Sequence, residues 1–333
     1  MSAVWHTTIR LFAVPLLCLG ATTTFLLGVW PTPRDLRGQE TAIRRVDAGP
    51  SSPEPVNPGP PAVQIDRQQR ERAADLLVQH TLEQLANGPA FDAKLTQEIR
   101  VQGRSAVGVG RYEQAGGGTG RISMEMMIPT ANGRCLLQQI CDGRLSWTRE
   151  QVGQSVRLRR VDVARLDELL AGKPTKLNAR LRVGGIVELL ERCHLDYALE
   201  QVPAELEGQA VWMLRGPRRD AAQSGSTETT KKNSLPNSSP KAVAIAIAAA
   251  NAPNGFGKGL PVRFEFWSNE DTNERRLISY LKIYDAQKIQ AAPEANFRFE
   301  TSEADINYTN DTQRYLQFFG AQISQGQSRA TVR

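Results

Sequence analysis

Between residues 91 and 161 apolar and polar side chains alternate through six successive segments separated by short turns. A period of two marks strands with one face covered and the other exposed. Segment 91–101 sets Leu95, Ile99 and Val101 against Lys94, Glu98 and Arg100. Gly103-Arg104-Ser105 turns the chain into 106–114, and Gly116-Gly117-Gly118 turns it into 121–128, where Ile122, Met124, Met126 and Ile128 share a face. Ala131-Asn132-Gly133 leads to 135–141, the hairpin signal Asp142-Gly143 to 144–149, and a further segment follows at 155–161. Strands joined by such short turns must pair antiparallel, because a parallel pair needs a long crossover.

The rest of the body fits around that meander. Ala74, Leu77, Val78, Leu82 and Leu85 form a helical stripe over 65–86, ended by Asn87-Gly88-Pro89. Shorter helices are expected at 163–171 and 185–193, and later strands at 195–201, 209–215, 261–268, 276–284 and 297–300. Residues 216–260 interrupt two strands expected to be neighbours. Their first half is low-complexity, and 242–252 fits either a short docked helix or an added strand. The predicted fold class is mainly β (α+β). A strongly curved antiparallel half-barrel sheet has its concave face covered by the N-terminal amphipathic helix and the short helices.

Ahead of the body lies a short head, 1–10, and then an apolar run without a charged side chain, 11–30. A helix of that length spans roughly 30 Å, the hydrocarbon core of a bilayer. A cleaved secretory signal is the rival reading. Against it, Gly28-Val29-Trp30-Pro31 is a poor cleavage site, and Leu16-Leu17 before Cys18 does not fit a lipoprotein signal. Residues 31–63 form a Pro-rich linker, 64–320 the β domain with its insertion at 216–260, and 321–333 a flexible tail. Arg10 alone precedes the span while Arg34, Arg37, Arg44 and Arg45 follow it, which by charge favours a cytoplasmic body. A short head, one span and a large body is also the layout of an exported signal-anchor protein. The reading taken is a single-pass inner-membrane protein with its body in the periplasm or at the cell exterior.

The net charge of +6 is spread among many acidic residues, with no zinc-finger, helix-turn-helix or RNA-binding signature, so no nucleic acid partner is expected. There is no Gly-x-Ser-x-Gly elbow and no phosphate loop, and His6, His80 and His194 lack companions at ligand spacing. The expectation is therefore no enzyme, metal or cofactor. Glu188 and Glu191 read as a solvated helix face. Cys135 and Cys141 lie about 20 Å apart along one strand and should not bond each other. Cys193 could pair with either, or all three could be buried thiols.

The ordered set of Phe91-Asp92-Ala93-Lys94, Gly110-Arg111-Tyr112, Gly120 to Glu125, and the hairpin Asp142 to Trp147 resembles the outer-membrane lipoprotein carrier (Lol) superfamily. The late strands 261–267 and 278–284, followed by Phe297-Arg298-Phe299, extend the likeness over about 64–320. The resemblance implies a half-open antiparallel barrel capped by helices, whose cavity binds lipid or lipoprotein acyl chains in the cell envelope. The sequence departs from the soluble carriers in its anchor, its Gly run and its insertion, so an envelope protein-interaction or sensing module on the same fold is the alternative. The membrane is the expected partner of 11–30.

If the sheet is a lipid cradle, alternation assigns its inward positions. These are Leu95, Ile99, Val101, Ile122, Met124 and Met126 on the early strands, then Leu145, Trp147, Val156 and Leu158, with Phe264 and Phe266 from the late ones. A closed core would use the same residues.

Overall fold

The computed structural model describes residues 67–101, 104–130, 133–171, 177–219, 240–268, 276–290, 292–300 and 307–320. The expected membrane span, linker and tail lie outside them. Among the described residues no helix is long and apolar enough to cross a membrane.

Helix α1 (Arg67–Asn87) leads into a six-strand meander: β1 (Phe91–Val101), β2 (Arg104–Gln114), β3 (Arg121–Thr130), β4 (Gly133–Asp142), β5 (Leu145–Val152) and β6 (Ser155–Asp162). Helix α2 (Val163–Leu170), a 3-10 turn (Ala179–Leu181) and helix α3 (Gly185–Asp196) follow. A second meander then runs through β7 (Glu200–Leu206), β8 (Gln209–Pro217), β9 (Ala242–Ala248), β10 (Pro261–Trp267) and β11 (Leu277–Lys288). A 3-10 turn (Glu294–Phe297), β12 (Tyr308–Asn310) and helix α4 (Thr312–Phe318) end the described chain. The two meanders join where β1 pairs with β11, giving one open twelve-stranded sheet ordered β12-β6-β5-β4-β3-β2-β1-β11-β10-β9-β8-β7. Among the described strands only β12 against β6 is parallel. This is the mainly β, helix-covered open sheet that alternation predicts.

The topology explains why the helices sit on one face. β6 lies next to one end of the sheet and β7 forms the other, so the connection between them, carrying α2 and α3, has to travel back across a face. α1 packs against β7 and α3 on that same face. Its stripe of Ala74, Val78, Leu82 and Leu85 is buried as the spacing predicts. Each such Val or Leu contributes about 1.5–3 kcal/mol by leaving water. Gln114 on β2 donates its side-chain N–H to the Leu85 carbonyl, satisfying one of the open acceptors at the end of α1. At its start Arg67 and Arg70 lie 3.0 and 3.3 Å from Glu200 of β7.

The close approach of β2 and β3 has a local cause. A Cβ placed on Gly110 would stand 2.1 Å from the Glu125 carbonyl oxygen of β3, so only glycine lets the two backbones approach there.

Three expectations need correction. The strand expected at 195–201 starts only at Glu200, because α3 continues to Asp196 and closes with the Tyr197 N–H on the Cys193 carbonyl at 3.0 Å. The strand expected at 297–300 is the end of a 3-10 turn and an extended stretch that crosses the sheet's outer face, where Phe297 is buried. The strands β8 and β10, expected as neighbours, are separated by β9, whose seven residues Ala242–Ala248 are all buried. Its alanines lie between long neighbours on the outer face, as in Arg215–Ala244–Glu265.

Candidate functional site

Register assigns every strand residue to a face. On the inner face, under the helices, Leu95 sits across from Gly110, which in turn faces Met126, and Met126 faces Leu137. In the other direction Gln97, also inward, faces Leu281, which faces Phe264. Of the twelve expected inward positions, Leu95, Ile99, Ile122, Met124, Met126 and Phe264 are inward and buried, each at most 5% exposed. Phe266 is inward and half-buried. The side chain of Val101 lies outside the described residues.

Leu145, Trp147, Val156 and Leu158 face outward, a correction with an identifiable origin. The hairpin between β4 and β5 pairs Cys141 with Ser146, so the inner face continues through Ser146, Thr148 and Glu150. Reading the apolar residue as the inward one therefore misplaces the whole strand by one residue. Apolar side chains point outward here because the segment after β11 covers them. Trp147 stacks on Phe299 at 5.2 Å between ring centroids and meets Tyr308 edge-on at 5.5 Å. Leu158, opposite Tyr308 of β12, is buried outside the inner core, and Val156 is exposed.

The inner face at β4–β6 is instead polar. Gln139, Ser146, Thr148, Glu150 and Arg159 are all buried. Arg159 pairs with Glu150 and lies 3.5 Å from Asp311. Buried charges of this kind must be paired to be tolerated. Close by, α3 and α4 share a second ionic cluster. Glu188 accepts from the Gly184 N–H at 2.7 Å, the Tyr315 hydroxyl at 2.8 Å and Arg192 Nε at 2.7 Å. Glu191 accepts from Arg182 Nε at 2.8 Å. The guanidinium groups of Arg182 and Arg192 lie over the rings of Phe319 and Phe318, 4.3 and 4.2 Å from the centroids. Glu188 and Glu191 are thus buried and paired, and the expectation of a solvated face is wrong. Their i,i+3 spacing is as compatible with an inward stripe, and their charge alone suggested water.

Glycine seals the interior between these halves. A Cβ on Gly185 would lie 2.8 Å from the Tyr112 ring, and the Gly185 N–H donates to Gln139 at 2.9 Å. The Tyr112 hydroxyl donates to Gln114 at 2.8 Å, and burial pushes its phenol far above the usual range. Cys135, Cys141 and Cys193 are buried thiols, with Cys141 pushed up to about 12 by burial. No group of three or more metal-ligating side chains occurs among the described residues.

The outer face carries an open groove of about 570 Å³ over β1, β2, β3 and β11. Val109 and Met127 are paired across β2 and β3 on its floor, with Tyr284 and Asn296 at its sides. Alternation puts Met127 on the face opposite Met126, but it gives no face for Val109 and no sign that the segment after β11 walls the groove.

No protein-family model matches the chain, and no curated protein matches it. Solved structures do. The chain is similar to the crystal structure of MucB at 12% identity with a TM-score of 0.36, over 69% of this chain and 63% of MucB. It thus matches less than two thirds of that protein's length. The complex of Pseudomonas aeruginosa MucA and MucB gives 13% identity and a TM-score of 0.35, over 69% of this chain and 61% of that one. A LolA superfamily protein from Nitrosomonas europaea gives 12% and 0.29, over 68% of this chain and 97% of its own.

Proposed function

We propose that the chain is an envelope binding module whose partner is a protein segment held on the outside of the sheet, without an acyl chain in its interior. The observation that carries this reading is the sealed inner face. Leu95, Ile99, Ile122, Met124, Met126 and Phe264 are at most 5% exposed beneath the helices, so among the described residues they line no open cleft. The β4–β6 half of the interior is further unsuited to a hydrocarbon chain, because Glu150 and Arg159 are buried in it. In this reading residues 11–30 hold the exported body at the inner membrane, and 31–63 space it from the surface. The fold's role is to present faces, and no step of chemistry is assigned to it.

The acyl-chain reading keeps one supporting observation. Apart from Gln97, the buried inward residues of β1 and β3 belong to one apolar cluster with the buried stripe of α1, which an acyl chain would reach if α1 left. Burying that chain would gain about 0.8 kcal/mol per CH₂. Photoreactive palmitate, crosslinked to the full chain in mild detergent and mapped by mass spectrometry, separates the two readings. Labelling confined to 11–30 is expected. Label on Ile122, Met124 or Met126 overturns the protein-partner reading.

A further inference from the structure

We infer that the outer groove over β2 and β3 docks an extended protein segment that places an aliphatic side chain two residues from a lysine or arginine. The inference rests on the protein-partner reading above and assigns it a surface.

The floor of the groove is apolar and open: Val109 is 59% exposed and Met127 36%. Paired across two strands, they offer a small apolar seat for one aliphatic side chain. Beside them, two residues along each strand, stand Arg111 on β2 and Glu125 on β3, directly opposite one another. They do not pair. The Arg111 guanidinium turns instead to Asp92 at 3.1 Å and Glu113 at 3.7 Å. Glu113 is further held by the Asn296 amide at 2.9 Å. The other cation of the groove, Lys94, lies 2.6 Å from Asp285.

Both cations are therefore matched, and Glu125 is left exposed without a hydrogen bond or ion pair among the described residues. The groove is lined by Lys94 and Arg111 against Glu113 and Glu125, and because Asp92 and Asp285 beside it take up the two cations, Glu125 is left as its unmatched charge among the described residues. Complementarity then asks for a basic partner, which disfavours an anionic lipid headgroup and selects orientation.

Spacing fixes the form of the ligand. Both strand edges of β2 and of β3 are already paired, so an incoming segment cannot add to the sheet there and must lie on its face. Along a strand, residues two apart are separated by about 6.8 Å. Met127 and Glu125 have that separation, and an extended peptide matches it with an aliphatic residue at one position and a basic one two further on.

Short linear peptides displayed on phage and panned on the detergent-solubilised full chain test this. Enrichment of aliphatic-x-Lys or aliphatic-x-Arg sequences is expected, with binding about tenfold weaker to Glu125→Lys, the equivalent of about 1.4 kcal/mol. Panning on Glu125→Lys should in turn enrich aliphatic-x-acidic sequences. Both Glu125→Lys and Val109→Asp change exposed side chains, and unchanged circular dichroism confirms that each variant folds. Enriched peptides that bind both variants undiminished overturn the groove while leaving a protein partner elsewhere. No enrichment over detergent alone overturns the groove as well. Sedimentation showing self-association abolished by Val109→Asp overturns it in favour of a second copy of this chain. Interior labelling by palmitate is a separate result, which removes the underlying reading.

Discussion

Tyr315 of α4 donates its hydroxyl hydrogen to Glu188 of α3 at 2.8 Å, joining positions 127 residues apart. Burial, reinforced by the negative charge of Glu188, pushes the phenol far above its usual range, so it remains a donor throughout the stable pH range. Tyr315→Phe should cost about 1.5–3 kcal/mol, as a lost hydrogen bond to a charged group. Glu188→Ala should cost more, about 3–5 kcal/mol, because it strands Arg192 without its buried partner. Urea unfolding of the two variants measures both, and equal losses would contradict the asymmetry.

Trp147 belongs to the outer face, where it is covered by Phe299 and Tyr308. Trp147→Ala should therefore loosen the segment after β11, with a loss of about 2 kcal/mol from two ring contacts and the area they cover. Limited proteolysis should show faster cleavage within 292–300. Cleavage of α1 in its place would put the indole back inside.

Gly110→Ala should be disruptive out of proportion to one methyl group. The new carbon would fall 2.1 Å from the Glu125 carbonyl oxygen, and β2 would have to move off β3. A loss of at least about 3 kcal/mol is expected, at the severe end for a small-to-large change. Thermal melting of Gly117→Ala separates the backbone cost from the clash, since that position is open but has a φ of 59° that opposes alanine without any steric contact.

Cys141 tests closure of the interior through pH. A solvent-exposed thiol ionises near pH 8.5, and its alkylation accelerates between pH 7 and 9. Cys141, held near 12 by burial, should show no such acceleration in the folded chain and should react fully in denaturant. Rapid native labelling at pH 9 would mean that the inner face opens.

The alternation of β1 to β4 was legible because most of its inward residues are apolar and its turns carry glycine. Leu95, Ile122, Met124 and Met126 sit where a period of two puts them. The same rule failed at β5, where the inside is polar and the outside is covered by chain distant in sequence. No local pattern at Trp147 announces Phe299 as its cover. β9 was ambiguous for a related reason: Ala242–Ala248 is buried on both faces, and without a polar alternate it has no visible period. The groove was half legible. Met127 alternates outward in sequence, but the place of Val109 beside it and the failure of Arg111 to pair with Glu125, which follows from Asp92 and Glu113, need three dimensions.

The seam between β1 and β11 pairs Leu95 with Ile283, a strand made early with one made late. Each meander can zip locally as it emerges, but neither can settle beside the other until the chain has been synthesised through β11. Loop closure over such a distance is slow to be rewarded, and until then β1 presents one bare edge. The chain thus has a waiting period built into its order of strands. Mutations that weaken β11 are expected to lower the yield of folded protein before they change the stability of what does fold.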